Sequence, residues 1–327
     1  MKLTIIFNPV AGNANRPRKL IRLISYLEEM GHLVTVSTTT SQGDATKLAR
    51  QAIKEGTETI LVFGGDGTIN EAIQGMADST VPLAVYPAGT TNVWCKQVGM
   101  PSNPRRAAEI ISAGPRHWID LGRVGEHYFL LMVGIGFDGE VTHAIDLEQK
   151  RRLGKFSYVL AGLRVVRSFS GTNVKITLDP GSSSQREVST NTNLLIFTNV
   201  ERYAVMKLAQ EAQIDDAQME LLIFHTTHLW SKVARTFSLV TNRSQHDSQI
   251  KRYRLREAWI TANPSVAMQV DGDPYGRVGQ AAVKIECLHR ALQVVIPAHA
   301  PEKLFSQSRP SGWLKTRLLQ KIVARFF

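Results

Sequence analysis

The first third of the chain alternates short apolar runs with amphipathic segments. Leu3 to Phe7 and Thr59 to Phe63 are apolar runs with the length of buried strands. From Leu20 to Leu27 the apolar residues recur at helical spacing, and Gly31 ends that pattern. Strands separated by helices of this length predict an α/β domain with a parallel, doubly wound sheet. Ligands of such sheets bind at the carboxyl ends of the strands.

After about Asp120 the pattern changes, because predicted strands then follow one another directly. Only two helices interrupt them, at Phe156 to Ser168 and Leu229 to Val240. This order predicts a β-rich second domain, an antiparallel sandwich or barrel. The predicted strands are Tyr128 to Val133, Val174 to Leu178, Asn193 to Asn199, Met219 to Phe224, Ala258 to Ala262, Val266 to Val270, Val283 to Leu288 and Leu292 to Ile296.

These changes divide the chain of 327 residues into three parts. Residues 1–121 form the α/β domain, and residues 122–300 form the β-rich domain, with the option that its last strand returns to the first. Residues 301–327 begin with a proline-containing linker and end in a basic amphipathic tail, Gly312 to Phe327. That tail fits either an anionic membrane surface or packing on the protein itself.

The net charge of +11 favours an acidic partner: nucleotide phosphate, an anionic membrane or nucleic acid. Cys95 and Cys287 are the only cysteines and form no metal-binding motif, so the chain suits a reducing cytoplasm. No apolar segment is long enough to cross a bilayer. No nucleic-acid-binding motif accompanies the charge, so no nucleic-acid partner is expected.

The strongest chemical signal is Gly64-Gly65-Asp66-Gly67-Thr68, directly after a buried strand and at the start of a helix. Glycines let the backbone approach phosphate oxygens, and the helix N-terminus supplies free N–H groups. A carboxylate in such a turn suits a metal-bound nucleotide better than bare phosphate. The simpler interpretation is a strand-to-helix turn that needs glycines and a cap.

This turn and the following Ile69-Asn70-Glu71 resemble the signature of the diacylglycerol/sphingosine lipid kinase family. Three further stretches are similar to turns of that family in the same order: Asn8 to Gly12, Thr38 to Ala45, and Pro87 to Asn92. The resemblance implies that the chain binds ATP with Mg²⁺. The nucleotide-binding residues that it implies are Asn8, Thr39, Gly65, Asp66, Gly67, Thr68, Ile69, Asn70, Glu71 and Thr90.

In the second domain, Asp271-Gly272-Asp273 resembles the family's Asp-Gly-Glu turn, whose acidic third residue accepts the proton of the lipid hydroxyl. The resemblance therefore implies Asp273 as the base, with Asp66 and Asp120 as further catalytic residues. From the residues alone, Asp271-Gly272 also fits a hairpin tip, and Asp120 also fits a cap at a strand end.

The stretch Ala212 to Gln218 is similar to a family turn that holds a structural cation. Carried over, the ligands are Gln213, Asp216 and Gln218. The family usually has glycine after the aspartate, where this chain has Ala217, and a position that requires positive φ disfavours alanine.

The resulting hypothesis is a lipid kinase that transfers the γ-phosphoryl group of ATP to a lipid hydroxyl, diacylglycerol-like above all. The first domain would bind ATP and the second would bind lipid. The expected location is cytoplasmic, peripheral at the inner face of the membrane, with anionic headgroups as partners, and a homodimer is left open. The alternatives are a soluble nucleotide kinase of the NAD kinase type and a catalytically weak nucleotide-binding regulator.

Overall fold

The computed structural model describes residues 1–12, 16–77, 79–144, 171–203, 206–209, 211–224 and 250–306. Its first part alternates strands and helices, as the apolar pattern predicts. The elements are β1 (Lys2–Phe7), α1 (Arg16–Glu29), β2 (Leu33–Thr38), α2 (Asp44–Lys54), β3 (Thr59–Gly64), α3 (Asp66–Met76), β4 (Leu83–Pro87), α4 (Val93–Val98) and α5 (Pro104–Ala113). Strands β2, β1, β3 and β4 lie side by side and parallel, which confirms the α/β prediction.

Helices cover both faces of this parallel sheet. On one face, Leu23 of α1 and Ile111 of α5 share a buried cluster with Ile5 of β1. On the other face, Ile73 of α3 packs with Ile6 of β1 in a second cluster. Neighbouring residues of one strand point to opposite faces, so a strand covered by helices on both faces is buried along its whole length. Strand β3 meets this requirement, since all six of its residues are buried.

The second part is built mainly from antiparallel strands in two sheets. The further elements are β5 (Arg116–Val124), β6 (His127–Phe129), β7 (Met132–Gly136), α6 (Phe137–His143), β8 (Thr172–Leu178), β9 (Arg186–Thr192), β10 (Leu194–Thr198), β11 (Arg202–Tyr203), β12 (Met206–Lys207), β13 (Met219–Phe224), β14 (Ile250–Leu255), β15 (Glu257–Asn263), β16 (Val266–Val270), β17 (Asp273–Val278) and β18 (Val283–Val295). One sheet has the order β14-β13-β10-β7-β16-β17, and β15, β8 and β9 extend the other. Side chains from both sheets share one buried cluster, which confirms the predicted sandwich.

Strand β18 joins the two parts of the fold. Its first half pairs antiparallel with β15, and Val294 near its end pairs parallel with Leu83 of β4. The sequence predicts two strands here, whereas the structure has one, with an irregular register between Leu288 and Leu292 against β5. Because β5 runs from Arg116 to Val124, it passes through the predicted boundary at residues 121 and 122. That division of the chain stays a prediction.

The strands β9, β14 and β17 were missed by the sequence analysis for a common reason. Each lies at an edge of its sheet, and most of its residues are partly or fully exposed. An edge strand that faces water carries few apolar residues, so it lacks the periodic apolar signal. The predicted helices Phe156 to Ser168 and Leu229 to Val240 and the tail Gly312 to Phe327 lie outside the described residues.

In the part of the chain that the structure describes, no helix is both long and apolar enough to pass through a membrane.

Candidate active site

Three glycine-containing turns meet at the carboxyl edge of the parallel sheet. They follow β1, β3 and β4, and their backbones are nearly in contact. A Cβ at Gly12, where φ is +85°, would lie 1.9 Å from the carbonyl oxygen of Ala88. A Cβ at Gly89 would lie 2.5 Å from Cα of Gly65. Larger residues would push the turns apart, so glycine here is required for a continuous backbone surface.

Two predicted nucleotide-binding side chains meet across these turns. Asn8 Nδ2 donates to Thr68 Oγ1 at 2.8 Å, and Asn8 Oδ1 accepts from the backbone N–H of Val10 at 3.0 Å. Thr39 is held next to them, because its N–H donates to the carbonyl of Phe7 at 2.9 Å. Thr90 is exposed on the turn after β4. The residues carried over from separate motifs thus surround one edge of the sheet.

Asp66 connects two of the three turns. Its carboxylate accepts from the backbone N–H groups of Val93 at 3.1 Å and Trp94 at 3.3 Å, the first residues of α4. Burial raises the pKa of Asp66, and these two N–H bonds oppose that shift. The carboxylate therefore caps α4 while it lies at the start of α3, between the turns that follow β3 and β4.

Two further predicted nucleotide-binding residues, Ile69 and Glu71, make contacts within the α/β part of the fold. The Ile69 N–H donates to the carbonyl of Gly65, and the Ile69 side chain is buried in the core. Glu71 holds α2 to α3, because its carboxylate accepts from the Ala45 N–H at 3.3 Å and its carbonyl accepts from Thr46 Oγ1 at 2.7 Å. Their nucleotide contacts stay a prediction.

Asp273 reaches the same turns from the β-rich part of the chain. It is the first residue of β17, and its Oδ2 lies 3.3 Å from the position that a Cβ would take at Gly67. Gly67 lies in the first turn of α3, so the absence of a side chain there lets the carboxylate approach the helix N-terminus. The structure thus places Asp66 and Asp273 at the same helix.

Asp271 and His127 belong to this region and were not predicted as functional. The Asp271 carboxylate is buried, which raises its pKa to about 6 against the effect of its N–H donors. Burial lowers the pKa of His127, and the charge of Asp273 opposes that change. Asp271 lies in the Asp271-Gly272-Asp273 turn, so the motif signals its position; nothing in the sequence around His127 does the same.

Asp120 lies in a different environment. It is buried and accepts from the backbone N–H groups of Ala217 at 2.6 Å and Arg290 at 2.8 Å, and its Oδ1 is 2.8 Å from His289 Nδ1. The structure thus brings Asp120 together with the predicted cation turn. Its catalytic role stays a prediction.

The predicted cation turn has its own counter-charge. Asp216 Oδ1 accepts from the Gln218 N–H at 3.0 Å, and its Oδ2 forms an ion pair with the guanidinium of Arg254. The Gln213 amide donates to the carbonyl of Phe305 at 3.0 Å. Ala217 adopts φ +61°, the conformation that favours glycine. Arg254 thus supplies a positive charge at Asp216 in this structure. The cation site at Gln213, Asp216 and Gln218 stays a prediction.

Within the described ranges, no group of three or more His, Cys, Asp or Glu side chains could hold a metal ion. A nucleotide-bound Mg²⁺ does not require such a group, because phosphates and water fill most of its coordination sphere.

Known proteins resemble this chain along most of its length. Residues 2–124 match the family model of the diacylglycerol kinase catalytic domain. Residues 131–296 match the model described as the YegS C-terminal NAD kinase beta sandwich-like domain. The second match alone covers about half of the chain.

Curated relatives match this chain over nearly its whole length. A diacylglycerol kinase from Bacillus subtilis (strain 168) is 29% identical over 303 residues, which is 92% of this chain and 98% of that protein. A diacylglycerol kinase from Staphylococcus carnosus (strain TM300) is 27% identical and covers 90% of this chain and 94% of its own length.

A solved structure shares the fold. The crystal structure of a diacylglycerol kinase from Bacillus anthracis str. Sterne aligns with a TM-score of 0.71 at 24% identity, covering 90% of this chain and 96% of that one. The resemblance inferred from the motifs is confirmed: the chain belongs to the diacylglycerol kinase family and is an ATP-dependent lipid kinase.

Proposed function

We propose that this lipid kinase transfers the γ-phosphoryl group of Mg·ATP to the hydroxyl of a diacylglycerol-like lipid, with Asp273 as the proton acceptor. One observation carries the proposal: Asp273 Oδ2 lies 3.3 Å from the Cβ position of Gly67, at the N-terminus of α3. A carboxylate from one part of the chain thus faces a phosphate-type turn from the other. Relatives named diacylglycerol kinase support the class of lipid.

The turns would bind the phosphates of ATP mainly through the backbone. The first N–H groups of α3 have no partner within the helix and are available as donors. Glycine at Gly65 and Gly67 lets Gly89 and Asp273 approach the start of this helix. Thr68 is fixed by Asn8 and lies in the same turn. Phosphoryl transfer depends mostly on positioning and charge neutralisation, which this arrangement supplies.

The lipid hydroxyl oxygen would attack the γ-phosphorus as the bond to the bridging oxygen of ADP breaks, and Asp273 would take the hydroxyl proton. Mg²⁺ would neutralise charge on the transferring phosphates, with Asp66 as its carboxylate, since one or two carboxylates with substrate oxygens and water suffice. Because Asp273 is shorter than glutamate, its backbone must lie close to the hydroxyl; its approach to Gly67 fits that requirement.

We further propose that the enzyme meets its lipid at the inner face of the membrane. The net charge of +11 supports attraction to anionic headgroups, and basic residues near such a surface contribute roughly 1 kcal/mol each. In this view residues 1–121 bind ATP and residues 122–300 bind lipid. A homodimer stays a prediction.

The test compares Asp273→Asn with Asp273→Glu. In mixed micelles of diacylglycerol, Asp273→Asn should lower kcat by about 10²- to 10⁴-fold with little change in KM for ATP. Asp273→Glu keeps a base and should retain substantial activity. Equal losses in both variants, with a lower melting temperature, would indicate a structural turn.

The same assay separates the alternative functions. Phosphorylation of NAD without phosphorylation of any lipid would overturn the proposal in favour of a soluble nucleotide kinase. ATP binding without turnover on either acceptor would indicate a regulator.

A further inference from the structure

Asn70 crosses from the nucleotide-side helix to the β-rich part of the chain. It lies three residues after Gly67 on α3, hence on the same helix face, and it is buried. Its Nδ2 donates to Asp271 Oδ2 at 2.9 Å and to the carbonyl of Tyr128 at 3.2 Å. Its Oδ1 is 3.0 Å from His127 Nε2. The described contacts of Asn70 therefore point away from the turns and towards the junction.

The orientation of the Asn70 amide is fixed by its neighbours. Two oxygen atoms lie on one side of it, at Asp271 and Tyr128, so that side must be the donating NH₂ group. The other side is then the carbonyl oxygen Oδ1, which accepts a hydrogen bond. His127 Nε2 must therefore be the protonated ring nitrogen that donates it. The ring of His127 is itself held against Tyr275 of β17, with centroids 4.9 Å apart.

Asp271 receives Asn70 together with three backbone donors. Its carboxylate accepts from the N–H groups of Leu130 at 2.9 Å, Leu131 at 2.9 Å and Met132 at 2.8 Å. Four donors thus hold both oxygen atoms of one buried side chain. The Asp271 carboxylate can keep all four hydrogen bonds in only one position and one orientation.

The backbone at this position is held in an uncommon conformation. Asp271 has φ +48° and Gly272 has φ +92°, so the chain turns sharply between β16 and β17. Asp273 follows directly and begins β17. A non-glycine residue keeps positive φ only where its surroundings impose it, and the four hydrogen bonds of Asp271 do so. The direction in which Asp273 leaves the turn is consequently set by the contacts of Asp271.

We propose that Asn70 and Asp271 form a positioning pair that fixes the Asp273 carboxylate against the nucleotide-side turn of α3. The pair ties both sides of the site to one another: Asn70 shares a helix with Gly67, and Asp271 shares a turn with Asp273. Asn70 then acts through Asp273 rather than by binding nucleotide. This inference rests on the assignment of Asp273 as the proton acceptor.

The test is a double-mutant cycle between Asn70→Ala and Asp273→Asn. Asn70→Ala leaves the three backbone donors of Asp271 in place, so the fold should persist. We expect kcat to fall by about 10- to 100-fold while KM for ATP changes by less than about threefold. In the Asp273→Asn background, Asn70→Ala should have no further effect on kcat, because its effect is exerted through Asp273.

Gln74→Ala is the matched control. Gln74 lies one turn further along α3 and spans the same junction, with its amide bonded to the carbonyl of Tyr128 at 2.8 Å and to the Tyr128 N–H at 3.0 Å. Its bonds do not include Asp271. Its kcat should stay within about threefold of the wild type. An equal fall in Gln74→Ala would overturn the inference, since any loosening of the junction would then have the same effect.

The remaining outcomes separate the inference from the proposed function. A raised KM for ATP in Asn70→Ala, persisting in the Asp273→Asn background, would return Asn70 to the nucleotide-binding set. Additive losses in kcat would also overturn the positioning pair while leaving Asp273 as the base. Full activity of Asp273→Asn alone would instead remove the proposed base, and with it the basis of the inference.

Discussion

Among the described residues, two groups of acidic side chains differ in the kind of partner that binds their carboxylates. The nucleotide-side group consists of Asp66, Asp271 and Asp273. The hydrogen bonds that hold Asp66 and Asp271 come from backbone N–H groups and one amide. The second group, the structural group, consists of Asp120, Asp216 and Glu220.

In the structural group the partners include charged or titratable side chains. Asp216 pairs with the guanidinium of Arg254, and Asp120 is bonded to the His289 ring. Glu220 lies directly across from Arg254 in the pairing of β13 with β14. Dipoles orient a carboxylate without cancelling its charge, whereas an arginine cancels it. The first group therefore keeps its charge available to a bound cation or a proton, whereas Arg254 neutralises the charge of Asp216 in the second.

The largest expected difference comes from removing a carboxylate on the nucleotide side. Asp66→Ala should lower turnover at saturating Mg·ATP by at least about 100-fold, because it removes both the carboxylate offered to the metal and the cap of α4. Steady-state kinetics with diacylglycerol in mixed micelles measures it.

The control for Asp66→Ala is Asn103→Ala. The side chain of Asn103 caps α5 by accepting from the Arg106 N–H at 3.1 Å, so this variant loses a helix cap elsewhere. It should lose about 1 kcal/mol of stability and keep its activity. Full activity of Asp66→Ala at saturating Mg·ATP would show that Asp66 is a cap and nothing more.

The same kind of change in the structural group should affect stability instead. Asp120→Asn leaves a buried amide facing three donors, so we expect the free energy of unfolding to fall by about 3 kcal/mol. The kcat of the folded fraction should stay within about threefold of the wild type. Urea unfolding and kinetics on one preparation measure both. A fall in kcat without loss of stability would support the predicted catalytic role of Asp120.

The smallest expected effect is a pH dependence of stability. Burial raises the pKa of Glu220 to about 7, and among the described residues its buried Oε1 has no hydrogen-bond partner. Because the folded-state pKa lies above the unfolded one, the stability that Glu220 contributes is present below about pH 4.5 and is lost as pH rises through about 7. Glu220→Gln should therefore match the wild type at about pH 4 and exceed its stability at about pH 8, by about 3 kcal/mol.

Urea unfolding at both pH values measures the effect of Glu220→Gln. Glu187→Gln, at an exposed position of β9, is the control and should change stability at neither pH. An equal difference between Glu220→Gln and the wild type at both pH values would mean that ionisation of Glu220 is not its source.

The sequence alone determined the features that local chemistry specifies. The Gly64 to Thr68 turn could be located because a buried strand ends there, glycines follow and a helix begins, all within a few residues. The α/β alternation and the change to strands near Asp120 follow from apolar periodicity, which each segment carries by itself. Those signals, together with the ordered motifs, led to the fold class and the kinase family.

Only the tertiary structure decided which residues face one another across the chain. Asn70 and Asp271 are separated by 201 positions, and their bond exists because β16 and β17 return to the helix α3. The resemblance implies catalytic roles for both Asp66 and Asp120, and the fold places Asp120 beside Ala217 and His289. Arg254 belongs to no motif, because its role is the ion pair with Asp216, which lies on another segment of the chain. The packing of whole sheets determines which distant segments come into contact. A short stretch of sequence therefore does not specify the segment that it will contact.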